Sequence, residues 1–494
     1  MTLKAINFKR EDFPFLLDRL SFFYAIAVLI YQLAYTLVPV RQFLNMTGLT
    51  MISSLLAVTG IAIAGANLLF NRKVYKTKSV LLLIALIVVM GISTLLNFRY
   101  GFVQNVKTIL WQTALLLVVF TCNIGNEENF FEKAFKWTYW ILTAFYLPAV
   151  IVSLYQYYFN IHYITEVEMG TVRQGFTEGR LFGVFSSPHF AAISTVILII
   201  ASVYYFLKTK KIALRIFLAF FSLLNFIYTV LSGSRSALLA LCATVLVVAF
   251  TVFYKSLFVK KKIKICVRFL VAVVLAFLVT IGTYVVFEAT ADLNVFILKQ
   301  VNDGDTTEIP DEITPEDEII YEREDIEGGN ISNNRFTIWR EYIEVAVGDI
   351  KTSLFGASPG GYMIYTAENY PDKYIVTHIR ENAPSMYERG IIYDTHNAYI
   401  SAFVSTGVIG FGLLLIFLFI CAAKAIKHIF SPNRVSLGFA LSLSLVIFTL
   451  AVSFFDSDLF YKCTGTAVIF WLFCGLLIKQ TRKAEAQAAD SEEN

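Results

Sequence analysis

Four polar clusters interrupt an otherwise apolar sequence, and they hold the side chains able to do chemistry. The first is Gly179-Arg180-Leu181-Phe182-Gly183, followed by Ser186-Ser187-Pro188-His189. The second is Ser232-Gly233-Ser234-Arg235-Ser236, the third Asn334-Arg335 with Trp339 and Arg340, and the fourth Thr395-His396-Asn397-Ala398-Tyr399. Arginine is permanently charged and matches phosphate oxygens in a planar fork. Two or three converging arginines would hold a pyrophosphate and neutralise it as a leaving group. Histidine is suited to take a proton from a hydroxyl near neutral pH. Arg180, Arg235 and Arg335 as phosphate ligands, with His396 as the base, fit transfer of a sugar from a lipid pyrophosphate to a hydroxyl acceptor. The arginines supply the positive charge, so the scheme needs no metal and no cofactor.

Each residue also has a plainer reading. Arg235 could anchor a tight turn at the membrane interface. Arg180 could pair with Glu178 or Glu166, and Arg335 with the acidic stretch that precedes it, as surface ion pairs of little energetic consequence. His396 beside Asn397 could belong to a helix cap, for which Asn is well suited.

The elements that must position these residues are helices in a membrane. The chain has 494 residues, 57% hydrophobic and only 16% charged, with a mean hydropathy of +0.64. Soluble domains carry about 25% charged residues. About twelve windows from Ser21–Val40 to Thr464–Ile478 approach the ~20 apolar residues a spanning helix needs, and none contains Asp, Glu, Lys or Arg. The fold expected is an all-α polytopic membrane protein. Residues 1–287 would form spans 1–9 with an outer loop at 160–188. A large external loop would come next at 288–395, then spans 10–12 at 396–479 and a tail at 480–494.

Basic residues collect in alternate connections (Arg72–Lys78, Lys208–Arg215, Lys255–Arg268, Lys424–Arg434) and in the tail. By the positive-inside tendency this makes both termini cytoplasmic and puts the His396 loop on the external face. The net charge of +4 expresses that asymmetry and gives no case for nucleic acid. The first apolar stretch comes after a mixed-charge leader and lacks a small-residue cleavage site, as a retained helix would. The six cysteines lie in or at the ends of helices with no CxxC, which supports neither a disulfide framework nor a zinc site.

The large loop has two parts. Residues 303–327 carry twelve Asp/Glu with Pro310 and Pro315, the composition of a solvated segment. A cation-binding role is the alternative, although the spacing matches no EF-hand. In the second part, 333–395, Asn333-Asn334 is placed to cap a helix through Arg335, Trp339 and Tyr342, after which Leu354–Gly361 breaks it with turn residues.

Taken together, these motifs resemble the O-antigen ligase and polymerase superfamily of bacterial envelope proteins. The matching residues are Arg180 with Gly183 and Pro188, the run Ser232–Leu241, Asn334-Arg335 with Trp339, Leu354-Phe355-Gly356, and His396-Asn397 with Gly407 and Gly410. His189, where relatives often show Asn, and Ser236, where Gly often comes after the arginine, depart from the pattern. The resemblance implies a GT-C-like, inverting glycosyltransferase that uses a polyprenyl-pyrophosphate-linked glycan. It implies Arg235 and Arg335 on the pyrophosphate with Arg180 assisting, and His396 activating the acceptor. Asn397 would hold the loop against the bundle, with Trp339 supporting. Partners would be the lipid-linked glycan, a glycan or lipid acceptor, the bilayer and other polysaccharide assembly proteins.

Within that class a polymerase is slightly favoured over a ligase, because nothing identifies a dedicated second acceptor. A flippase of lipid-linked glycans is the main competitor. Charge-free spans count against ion-coupled transport, and Asp456 and Asp458 look like interfacial residues at an outer helix end. A scaffold role, with the acidic segment as its surface, is the third class.

Overall fold

A charge-free run of Leu, Ile, Val and Phe can satisfy its backbone groups within itself, without water, only by forming a helix. The computed structural model describes residues 13–71, 77–125, 128–167, 170–258, 264–302, 334–431 and 435–492. The helices before the large loop are α1 (Phe13–Ala34), α2 (Val38–Phe70), α3 (Lys78–Leu96), α4 (Phe102–Ala114), α5 (Glu128–Tyr158), α6 (Pro188–Lys208), α7 (Ile212–Leu231), α8 (Arg235–Phe258) and α9 (Ile265–Asn302). After it come α10 (Arg335–Ala346), α11 (Ile350–Phe355), α12 (Tyr362–Asn369), α13 (Tyr374–Asn382), α14 (Pro384–Glu388), α15 (Ala398–Phe430), α16 (Leu437–Val452) and α17 (Gly465–Glu492). The acidic run 303–327 lies outside the described residues.

The chain is an all-α polytopic membrane protein. Among the described residues, ten helices are long and apolar enough to cross a membrane, and a helix stands at each of the twelve expected windows. Two boundaries differ from expectation. α16 stops at Val452 after 16 residues, so the segment to Thr464 leaves the helix and turns into the bundle. α9 runs to Asn302, so the expected loop begins with helix, one that buries Leu298.

The 160–188 connection also contains strands: β1 (His162–Val167), β2 (Gly170–Thr177) and β3 (Arg180–Gly183) form an antiparallel sheet in that order. Glu178 and Gly179 between β2 and β3 both have positive φ, the geometry of a tight hairpin turn whose twist suits the flanking strands. β3 is pinned to the bundle. The Ser153 hydroxyl of α5 accepts from Val184 N at 3.1 Å, and the Tyr228 hydroxyl of α7 donates to Phe182 O at 3.0 Å.

Two cores result. The larger lies inside the bundle; the smaller sits in the 334–395 layer, where Ile338, Tyr342, Ile375 and Val376 are fully buried. Burying each such side chain contributes about 2 kcal/mol. This layer is locked onto α15 where that helix breaks. Gly407 has φ +63 and sits so close to the Leu354 carbonyl carbon that a Cβ would stand 2.4 Å from it. Opposite it, a Cβ on Gly356 would stand 2.3 Å from Ser405. The crossing gives the interrupted ladder new partners: Ala357 N donates to Val404 O at 2.7 Å and the Ser93 hydroxyl to Ser405 O at 3.1 Å. The break ties the outer layer to the helix that begins beside His396.

Candidate functional site

Arg235 opens α8. Before it, Ser234 accepts from Ala237 N at 3.4 Å as a helix cap, and Gly233 takes the left-handed turn. Arg180, the first residue of β3, donates from Nε to Ser232 O at 3.0 Å, which fastens the sheet to this hairpin. Of the two carboxylates expected near Arg180, Glu178 is held by Arg173.

His189, in the first turn of α6, joins the hairpin to the α16–α17 connection. Its Nδ1 lies 3.0 Å from the Ser234 hydroxyl and 3.1 Å from that of Ser236, and its Nε2 lies 3.0 Å from Asp456 Oδ2. Asp456 is therefore not exposed at the helix end. The early end of α16 folds it inward until it is 7% exposed.

Asp394, two residues before His396, is the most heavily satisfied group in the site. It accepts from the Tyr362 hydroxyl at 2.7 Å, Thr395 N at 2.7 Å, the Ser457 hydroxyl at 2.5 Å and Lys462 Nζ at 2.5 Å. Burial alone would raise its pKa, but Lys462 and these donors hold it well below the usual carboxylate range. Asp458 lies 3.2 Å from Lys462, yet burial and the neighbouring Asp456 push its pKa up. Burial works to lower the Lys462 pKa, but Asp394 and Asp458 overcome it and raise it.

His396 has φ 45, a left-handed backbone unusual outside glycine and the mark of a constrained position. Asn397 fixes the start of α15. Its side chain accepts from Tyr399 N and Ile400 N, capping that helix, and donates to Phe454 O at 3.1 Å at the end of α16. Burial, then Arg335, lower the His396 pKa below its ordinary 6.5, against the opposing pull of Asp394. A neutral imidazole results, able to accept a proton.

Arg335 opens α10, and its guanidinium lies 5.9 Å from the centre of the Phe455 ring. Asn334 occupies the capping position expected of it, but in a left-handed conformation with no capping hydrogen bond. Its amide donates to the Tyr374 hydroxyl at 2.9 Å instead. Trp339 stands one ring back, 6.5 Å from Phe455, outside the cleft lining.

Arg180, Arg235, Arg335 and His396 thus line one cleft of about 320 Å³, together with His189, Asp394, Asp456, Asp458 and Lys462. Three helices, α6, α8 and α10, present their N-terminal ends to it. α15 begins two residues after His396 and α17 three after Lys462. Helix N-termini carry partial positive charge and unsatisfied N–H groups, so they reinforce the arginines towards an anion. The arrangement can hold a phosphorylated group beside a neutral imidazole.

The Asp394–Lys462 pair and the inward placement of Asp456 and Asp458 are features that the sequence motifs do not single out. The signal available is the charge in Asp456-Ser457-Asp458 and Lys462 within a short connection between apolar windows. Lys462→Met is expected to cost about 3 kcal/mol of folding stability. That is the low end for a broken buried pair, because the Lys462 side chain is 35% exposed. Lys462→Met combined with Asp394→Asn should recover most of the loss. Thermal unfolding of the detergent-purified proteins measures both, and an unchanged melting temperature for Lys462→Met contradicts the assignment.

Residues 220–415 match a protein-family model described as O-Antigen ligase. That segment contains Arg235, Arg335 and His396. Arg180 and the Asp456–Lys462 connection lie outside it. No curated protein matches the sequence.

Proposed function

We propose that this chain, whose residues 220–415 match the O-antigen ligase model, is a member of that family and transfers a glycan from a polyprenyl pyrophosphate to a hydroxyl acceptor in surface-polysaccharide assembly. The observation that carries the reading is the convergence of three arginines and His396 on one cleft at the ends of several helices. In this reading Arg235, Arg335 and Arg180 bind the pyrophosphate and stabilise the charge that develops as it departs. His396 takes the proton of the attacking hydroxyl. One in-line displacement inverts the anomeric carbon, and the chain's own guanidinium groups fill the place of a metal. Asp394, fixed by Lys462, keeps the His396 segment in register.

The cleft opens to the cell exterior in this reading. The long helices that start at or beside it, α6, α8 and α15, carry basic residues in their last turns at the far side: Lys208, Lys255 and Lys427. The positive-inside tendency makes that far side cytoplasmic.

Polymerisation is favoured over ligation, since one class of lipid-linked glycan then serves as both donor and acceptor. Deleting the gene and restoring it as wild type or His396→Ala tests both points. Single repeat units stranded on the carrier lipid, not rescued by the variant, are the expected result. Long chains stranded there instead make the protein a ligase. Full rescue by His396→Ala removes the transferase reading and returns weight to transport.

A further inference from the structure

The outer layer carries a second feature, away from the charged cleft. Tyr374 and His378 lie four residues apart on one face of α13, their ring centres 5.2 Å apart. Tyr393 lies nearly parallel to both, 5.9 Å and 18° from Tyr374, and 5.2 Å and 19° from His378. All three side chains are only half-buried. Asn382 fixes the imidazole, donating from its amide towards His378 Nδ1 at 3.2 Å. At the other end, the Asn334 amide meets the Tyr374 hydroxyl.

This platform is built onto the parts that build the cleft. Glu341 of α10 accepts from Tyr374 N at 3.1 Å and Ile375 N at 3.0 Å, and the Tyr342 hydroxyl of α10 donates to Tyr393 O. The first residue of α10 is Arg335, and the residue after Tyr393 is Asp394; both line the cleft. Through α10 and the Tyr393–Asp394 step, the platform is thus joined to two residues of the cleft lining.

We propose that Tyr374, His378 and Tyr393 form a carbohydrate subsite that binds a pyranose ring of the glycan beyond the one undergoing transfer. The inference rests on the transferase reading above. Aromatic faces carry partial negative charge and pack against the weakly positive C–H face of a sugar, while the Asn334 and Asn382 amides meet its hydroxyls at the rim. The platform would hold the growing chain and set how far it extends before release.

The test is isothermal titration of the detergent-purified full-length protein. The probe is the oligosaccharide released by mild acid from the carrier lipid of cells lacking the gene. His378→Ala should weaken binding about tenfold, roughly the value of one aromatic contact. His378→Phe, which keeps a flat ring, should restore it. Equal affinity for wild type and His378→Ala, or no binding by wild type, overturns the proposal. The two readings fail separately. Normal glycan transfer by His396→Ala sinks the transferase reading, whereas dead His396→Ala with unchanged binding in His378→Ala sinks only the platform.

Discussion

His396→Ala is expected to slow glycan transfer by about 10²–10⁴-fold while leaving the protein folded and inserted, which is the range for loss of a general base. His396 has a left-handed backbone, so the replacement must be chosen to separate chemistry from strain. Asn tolerates that conformation well, and His396→Asn should fail as fully as His396→Ala.

The pH dependence carries a sign. Burial and Arg335 lower the His396 pKa, and Asp394 and Asp456 oppose them. The base is its neutral form, so wild-type initial rates should hold as pH falls through 6.5 and decline only below it. Asp394→Asn removes a carboxylate that raises the His396 pKa, and the acid limb should move further down. Initial rates in proteoliposomes between about pH 5 and 8 resolve this. An acid limb centred above 6.5 would contradict the assignment of His396 as the buried base.

Much of this architecture is legible in the sequence because a membrane punishes ambiguity. Apolar windows free of charge have one workable backbone, and all twelve hold a helix. The arginine and histidine clusters stand out for the same reason. What stays hidden depends on where helices stop. Ser453-Phe454-Phe455 continues the apolar pattern of α16, and nothing local announces that the helix ends at Val452 and delivers Asp456 and Asp458 to the cleft. The break at Gly407 is equally silent. It requires the backbone of Leu354 and Phe355 to arrive from the outer layer, a contact between residues far apart in sequence. Asn334 shows the limit of capping rules: a good cap by type, it turns its amide to Tyr374 because the packing of α13 against α10 offers a partner.

Arg335→Lys is expected to reduce turnover by about 10²–10³-fold, as is Arg235→Lys, although both keep the charge. An ammonium is a point charge on a flexible stem and cannot present two parallel N–H groups to a phosphate. If charge alone were needed, the helix N-termini around the cleft would suffice with lysine, and activity would be close to wild type. Arg180→Lys carries an added effect. Its Nε is committed to Ser232 O, so the change loosens the sheet from the hairpin that presents Arg235. A further substitution joins the arginines to the base. Arg335→Met removes a charge that lowers the His396 pKa, so the residual activity should show its acid limb shifted upward, where Arg335→Lys leaves it in place. Turnover and pH profile measured on wild type and these two variants therefore separate the two tasks of Arg335. Loss of rate in both variants reports phosphate geometry, and displacement of the limb in Arg335→Met alone reports the electrostatic coupling to His396.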